Sequence, residues 1–274
     1  MRIRRPAVAA LALAATAALR APAPARVGVE AIPEFGSVAP GREFRVAVRL
    51  TIPAGCHVSW MNPGQSGLPT TLAWRTPAGV RAGATEWPFP ERDEVAGVVS
   101  HVYRGAPVVV TRFAADSALR SGTVALRGEL SWGVCGATCL PEKGAVEVSL
   151  PVEPGAAEPT AAWRALAPQL DALPVAGASL AVSAAASGDR VRLVIGGPRL
   201  APTGGTAVFF PLPAGAAVVV RTQRTARGVA VSLPSSLLRG HPDRISGVLV
   251  ADSSWLIGSN RRAAAIESPI REMP

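Results

Sequence analysis

The sequence predicts an all-β protein built from two β-sandwich-like modules, and three observations carry that expectation. Apolar and polar residues alternate with period two in "REFRVAVRLTI" (42–52), "TVALRGELSW" (123–132) and "AVEVSLPV" (145–152), the pattern of strands buried on one face. Turn-forming clusters punctuate the first half of the chain: "APGR", "NPGQSG", "TPAGV" and "LPEKG". One segment alone has helical spacing, "AAWRALAPQLDALP" (161–174), with Trp163, Leu166 and Leu170 on one face and Pro174 closing it.

Taken in order, residues 1–25 form a basic start ending at Arg5, an apolar run from Ala7 to Leu19, and small residues at Ala23 and Ala25, which is the layout of a secretory signal peptide. That run is shorter than the roughly 20 apolar residues of a spanning helix, so a soluble exported protein cut near Ala25 is expected, with no membrane span after signal removal. The first β module then covers 26–153. A Pro/Gly/Glu linker and the short helix occupy 154–175, and a second, smaller β-rich module runs over 176–274. There, "LAVSAAASGDRVRLVIGG" reads as a hairpin turning at Ser187 to Asp189, followed by "GTAVFFPL", "AAVVVRTQR", "GVAVSLP" and "ISGVLVAD".

The formal charge of +9 falls to +5 once the four arginines of the leader, which has no acidic residue, are removed. The remaining arginines are scattered and one tyrosine is present, so no basic stripe interleaved with aromatics speaks for nucleic-acid binding.

Chemistry concentrates in the cysteines. Cys135 and Cys139 stand four apart in "SWGVCGATCLPEKG", and Cys56 is the third cysteine. Export favours their oxidation, because disulfides persist outside the reducing cytosol. A straight strand would hold Cα atoms four residues apart at roughly 13 Å, whereas a disulfide needs about 4.4–6.8 Å. The chain must therefore bend back between them, and Gly136, with Gly133 just before, supplies permissive backbone for a hairpin tip or a single turn. A hairpin tip at the end of a sandwich is where partners gain access. So small a loop gives at most about 2 kcal/mol of chain-entropy stabilisation. A local, exposed pair suits exchange with an incoming thiolate better than stapling. Redox couple, structural staple and metal clip all remain open on these grounds. The metal reading is the poorest, since His57, His101 and His241 lack the short spacings of a zinc or copper site; no metal and no cofactor are expected.

A second stretch bears on the choice. "CHVSWMNPGQSGLPTTLAWRTPAGVRAGATEWPFPER" (56–92) brings together His57, Trp60, Asn62, Pro63, Gly64, Ser66, Gly67, Pro69 and Thr70, then Trp87, Pro88, Pro90, Glu91 and Arg92. Tyr103 and Gly105 follow, and after them Cys135, Cys139 and Pro141. In order and spacing, over about 120 residues, this closely resembles the N-terminal periplasmic domain of DsbD-type thiol:disulfide reductases, especially the ScsB branch. "FFP" at Phe209 to Pro211 more weakly resembles that family's second β region.

The resemblance implies an immunoglobulin-like sandwich in the periplasm whose cysteine pair, Cys135 and Cys139, relays electrons. A membrane-embedded DsbD/ScsB-like reductase would supply them and periplasmic thioredoxin-like proteins would receive them. It implies a cap over the pair at His101, Val102, Tyr103, Arg104 and Gly105, with Tyr103 as aromatic lid. It also maps the exchanging thiol to Cys139 and the resolving thiol to Cys135. Asn62, Pro63 and Gly64 read as a turn supporting the site, while Trp60, Trp74 and Trp87 read as core. Cys56 and Ser59 replace aromatics usual in the family, and Cys56 is expected to be a buried free thiol. The chain reaches Pro274 without a multi-span or thioredoxin-like segment, so a reductase on a separate chain is expected. The competing expectation is a non-catalytic immunoglobulin-like adaptor or copper-stress protein whose disulfide is purely structural.

Overall fold

A computed structural model describes residues 26–155, 158–175, 180–201, 205–238 and 243–272. The expected signal peptide and His241 lie outside the described residues. The first module contains β1 (Gly28–Pro33), β2 (Glu43–Thr51), β3 (His57–Gly64), β4 (Thr71–Arg75), β5 (Val80–Glu86), β6 (Glu91–Val95), β7 (Val98–Tyr103), β8 (Val108–Ala115), β9 (Thr123–Cys135) and β10 (Cys139–Pro151). One sheet has the order β1-β2-β8-β5; the other has β10-β9-β3-β7-β6, with β4 also paired to β9. These two sheets form the immunoglobulin-like sandwich.

Alternation along β2 explains why the sheets stack. Phe44, Val46, Val48 and Leu50 enter the inter-sheet core, while Ala47 points to the opposite face. At one end Phe44 stacks on Phe113 at 5.3 Å, and Trp74 meets Phe113 edge-on at 5.2 Å. Towards the other end the core holds Trp60, Tyr103 and Trp132.

Outside the first sheet, the expected helix is two single turns, α1 (Ala161–Arg164) and α2 (Ala167–Leu170). Pro168 explains the break, since it has no N–H to donate to the Arg164 carbonyl and its ring clashes there. The apolar face survives the interruption. Trp163, Leu166 and Leu173 pack on Ile32, Ala47, Val108 and Val110, and Thr160 Oγ1 caps α1 by accepting from Trp163 N at 3.1 Å.

The second module contains β11 (Ala181–Ser187), β12 (Arg190–Gly196), β13 (Gly205–Pro211), β14 (Val218–Thr225), β15 (Gly228–Pro234), β16 (Arg244–Ala251) and β17 (Ala263–Glu272). The hairpin turns at Gly188 and Asp189, as expected, with Gly188 at φ +57°. The module is a closed barrel, β11-β12-β15-β14-β13-β16-β17, where alternation alone suggested an open sandwich. Closure comes from β17, which pairs antiparallel with β16 and parallel with β11, leaving no free edge.

The modules share a core because neighbouring residues on one strand face opposite ways. Phe209 fills the barrel and Phe210 fills the sandwich; Leu249 and Val248, then Ala264 and Ala263, divide in the same manner. Phe210 meets Trp60 at 6.0 Å and His101 at 5.1 Å, both edge-on.

Candidate functional site

The longest hairpin of the sandwich, β9–β10, keeps register from Thr123↔Pro151 to Cys135↔Cys139. Gly136, Ala137 and Thr138 close its tip, with Gly136 N–H donating to Thr138 O at 3.0 Å. Cys135 and Cys139 are disulfide-bonded across this last pair, their Cα atoms 4.0 Å apart. The chain thus turns back between the cysteines as the loop-closure argument required.

The two cysteines are not equivalent. Cys135 is 6% exposed, whereas Cys139 lies on the edge strand in solvent beside Leu140, itself 46% exposed. Along β9, Val124, Leu126, Leu130, Trp132 and Val134 point into the sandwich, so Cys135 turns to the outer face.

Register fixes what else lies in that row. β3 runs beside β9 with His57↔Cys135 and Val58↔Val134, giving the cross-sheet order Cys139, Cys135, His57. Val58↔Tyr103 on the far side of β3 brings Arg104, the next residue, level with His57. Arg104 is ion-paired with Glu91 at 2.8 Å and Asp93 at 3.2 Å. Desolvation and the Arg104 charge hold the His57 pKa below its ordinary value against a smaller opposing pull from Asp93. The imidazole is therefore neutral at pH 7.

Immediately beside this row, the segment after Gly64 folds over the outer face. A Cβ at Gly133 would meet Leu68 Cβ at 3.1 Å, and one at Gly67 (φ +117°) would stand 2.3 Å from Ser59 Oγ. Glycine at 67 and a small residue at 59 are both needed for that approach. Leu68, 52% exposed, thus borders the pair, and the Ser59 departure acquires a steric reason.

The expected cap is placed differently. His101, Val102 and Tyr103 belong to strand β7, and only Arg104 and Gly105 lie beyond it. Tyr103 pairs with the inward-facing Val58 and sits in the sandwich core, its hydroxyl donating to Pro88 O at 2.6 Å. It therefore points to the face opposite Cys135 and is not a lid. Of the five cap residues, Arg104 alone comes to the row of the disulfide.

Asn62, Pro63 and Gly64 also act elsewhere than expected. Register along β3 shifts between Ser59 and Gly64, and this bulge carries Asn62 into the second module. Asn62 Nδ2 donates to Pro211 O at 2.6 Å and Gly215 O at 3.1 Å, while its Oδ1 accepts from Gly64 N at 3.0 Å. Asn62 O accepts from His101 Nδ1 at 2.8 Å, and His101 Nε2 accepts from Ala217 N at 2.9 Å. This hydrogen-bond pattern requires the neutral ring, and burial lowers the His101 pKa accordingly. Gly64 at φ +80° is forced, because a Cβ there would stand 2.6 Å from Val99 O. The turn is a latch between modules rather than a support for the disulfide.

Cys56 is a free thiol, half-buried rather than fully buried, beneath the hairpin tip; a Cβ at Gly136 would meet its Sγ at 3.2 Å. His57 and Leu68 are the site residues that sequence reasoning did not single out. Their nearness to the pair depends on long-range register, although their place in the 56–70 motif was visible.

Because the bridge closes so short a hairpin, reduction should cost no more than about 2 kcal/mol. Melting of the reduced form within about 10 °C of the oxidised form is expected, with thiol counting giving one free thiol before reductant and three after. A larger drop would mark the bridge as a staple.

An immunoglobulin-like sandwich bearing a local disulfide at the tip of its longest hairpin is the class of domain that this geometry defines. Residues 25–151 match the family model described as "Thiol:disulfide interchange protein DsbD, N-terminal". Among solved structures, the chain is similar to the N-terminal periplasmic domain of ScsB from Proteus mirabilis, at 14% identity over 89% of this chain and 91% of that one, with a TM-score of 0.49. It is also similar to the Neisseria meningitidis DsbD N-terminal domain in the reduced form, at 18% identity over 47% of this chain and 90% of that one, with a TM-score of 0.26. No curated protein matches the chain.

Proposed function

We propose that the chain is a periplasmic thiol:disulfide interchange relay working through Cys135 and Cys139, passing electrons from a membrane-embedded reductase to thioredoxin-like proteins. The observation that carries this reading is the asymmetry of the bonded pair, one cysteine exposed on an edge strand and the other 6% exposed on the neighbouring strand. The match of residues 25–151 to the DsbD N-terminal family model supports it.

In the electron-donating direction, the Cys139 thiolate attacks a sulfur of the partner's disulfide. The partner's second sulfur leaves as a thiolate, and a Cys139–partner disulfide forms. Cys135 then attacks Cys139 Sγ, restoring the Cys135–Cys139 bond and releasing the partner's first sulfur as a thiolate. Two electrons pass to the partner and each released thiolate takes a proton. Recharging reverses these steps with a reduced donor. Arg104 contributes a fixed cation to the row, and Leu68 offers an apolar rim for docking.

Titration of the pair against glutathione or dithiothreitol buffers tests the proposal. A relay should have a reduction potential within about −180 to −270 mV, the span of thioredoxin-like proteins. A value below about −300 mV would favour the structural disulfide of an adaptor.

A further inference from the structure

We infer that His57 is the proton acceptor for Cys135 when that thiol resolves a mixed disulfide on Cys139, an inference that rests on the interchange reading. The two residues are directly opposed on adjacent antiparallel strands, His57↔Cys135. Directly opposed side chains share a face with Cβ atoms about 4.5–5.5 Å apart, which brings an imidazole nitrogen within reach of the thiol. Cys139 occupies the same row on the other side of Cys135. The row therefore orders proton acceptor, nucleophile and attacked sulfur.

The remaining histidine of the described sandwich serves a different purpose. His101 is fully buried, and both its ring nitrogens are engaged at the module joint. His57 is half-buried on the outer face, where a ring can exchange protons with water. The charged groups facing it are Arg104 at the end of β7 and Asp93 and Glu91 on β6; the facing thiols are Cys135 and Cys139. Burial and Arg104 keep the ring neutral and able to accept at pH 7.

The step balances as follows. With Cys139 joined to the partner, the His57 imidazole takes the Cys135 S–H proton. The thiolate's electron pair forms the Cys135–Cys139 bond, and the Cys139–partner bond breaks. Its electron pair leaves on the partner's sulfur, which takes a proton from the imidazolium or from water. An ordinary thiol of pKa about 8.5 is only a few per cent ionised at pH 7. A positioned base therefore gains up to roughly 30-fold at pH 7 and little above pH 9.

The test is stopped-flow reaction of the reduced protein, in a Cys56→Ser background, with Ellman's disulfide. Attack by Cys139 releases a first thionitrobenzoate, and resolution by Cys135 releases a second. His57→Asn should leave the first phase unchanged and slow the second about 10-fold at pH 7, the deficit closing towards pH 9 and being partly restored by added imidazole. His57→Gln replaces it if the first variant fails to fold. Equal second-phase rates in wild type and variant, or a deficit of the same size from pH 6 to pH 9, would overturn the assignment. Failure of the interchange reading is separate, since it would leave wild-type protein inert towards thioredoxin-like proteins whatever its behaviour with Ellman's disulfide.

Discussion

Cys135→Ser is expected to accumulate a covalent adduct with a periplasmic thioredoxin-like protein through Cys139, and Cys139→Ser to accumulate almost none. The mixed disulfide is resolved by the partner cysteine of the pair, so removing the covered thiol leaves the exposed one able to attack but unable to be released. Removing Cys139 instead leaves Cys135, which is 6% exposed and faces His57 within the sheet; an incoming protein cannot align three sulfurs there. Non-reducing gels of the two variants, followed by peptide mapping of the adduct, measure the effect. Equal adduct from both variants would contradict the assignment of roles.

Asn62→Ala is expected to lower stability by about 2–5 kcal/mol. The carbonyls of Pro211 and Gly215 would lose their donor, and Gly64 N its acceptor, in a joint where Asn62 is 2% exposed; each buried polar group left without a partner costs about 1–3 kcal/mol. The loss falls on the contact between sandwich and barrel. Denaturant unfolding followed by tryptophan fluorescence should accordingly separate into two transitions. If Asn62 supported the disulfide instead, the variant would unfold in one transition and shift the reduction potential. The latch account predicts an unchanged potential.

How far the sequence reveals this arrangement depends on the range of the interaction. Strand β2, β9 and β10 patterns are legible because one face of each is buried, so Phe44, Val46, Val48 and Leu50, or Val124, Leu126 and Leu130, alternate with polar neighbours. The bend at the tip is legible for a local reason, since two cysteines four apart can bond only if the chain leaves the extended strand conformation between them. Cross-strand register is not local. Nothing in the sequence states that His57 opposes Cys135, or that Tyr103 pairs with Val58 and so points into the core; a shift of one residue would have sent it to the other face.

The bulge at Asn62 hides the latch in the same way. Asn-Pro-Gly is a sound turn signal, but its hydrogen-bond partners lie in the second module. Helical spacing at 161–174 correctly groups Trp163, Leu166 and Leu170 on one face, yet Pro168 divides the helix into two turns. Barrel closure depends on β17, whose "AAAIESPIRE" run lacks the clean alternation of its neighbours.

Mixing the oxidised wild-type protein with an equimolar amount of a reduced thioredoxin-like protein, quenching with an alkylating agent and resolving the species by mass tests the central claim most directly. The account predicts that Cys135 and Cys139 become reduced together while Cys56 stays a free thiol throughout, with the partner oxidised in equal amount and both redox forms of each protein present at equilibrium. A Cys135–Cys139 bond that persists in full, with the partner still reduced, would contradict it.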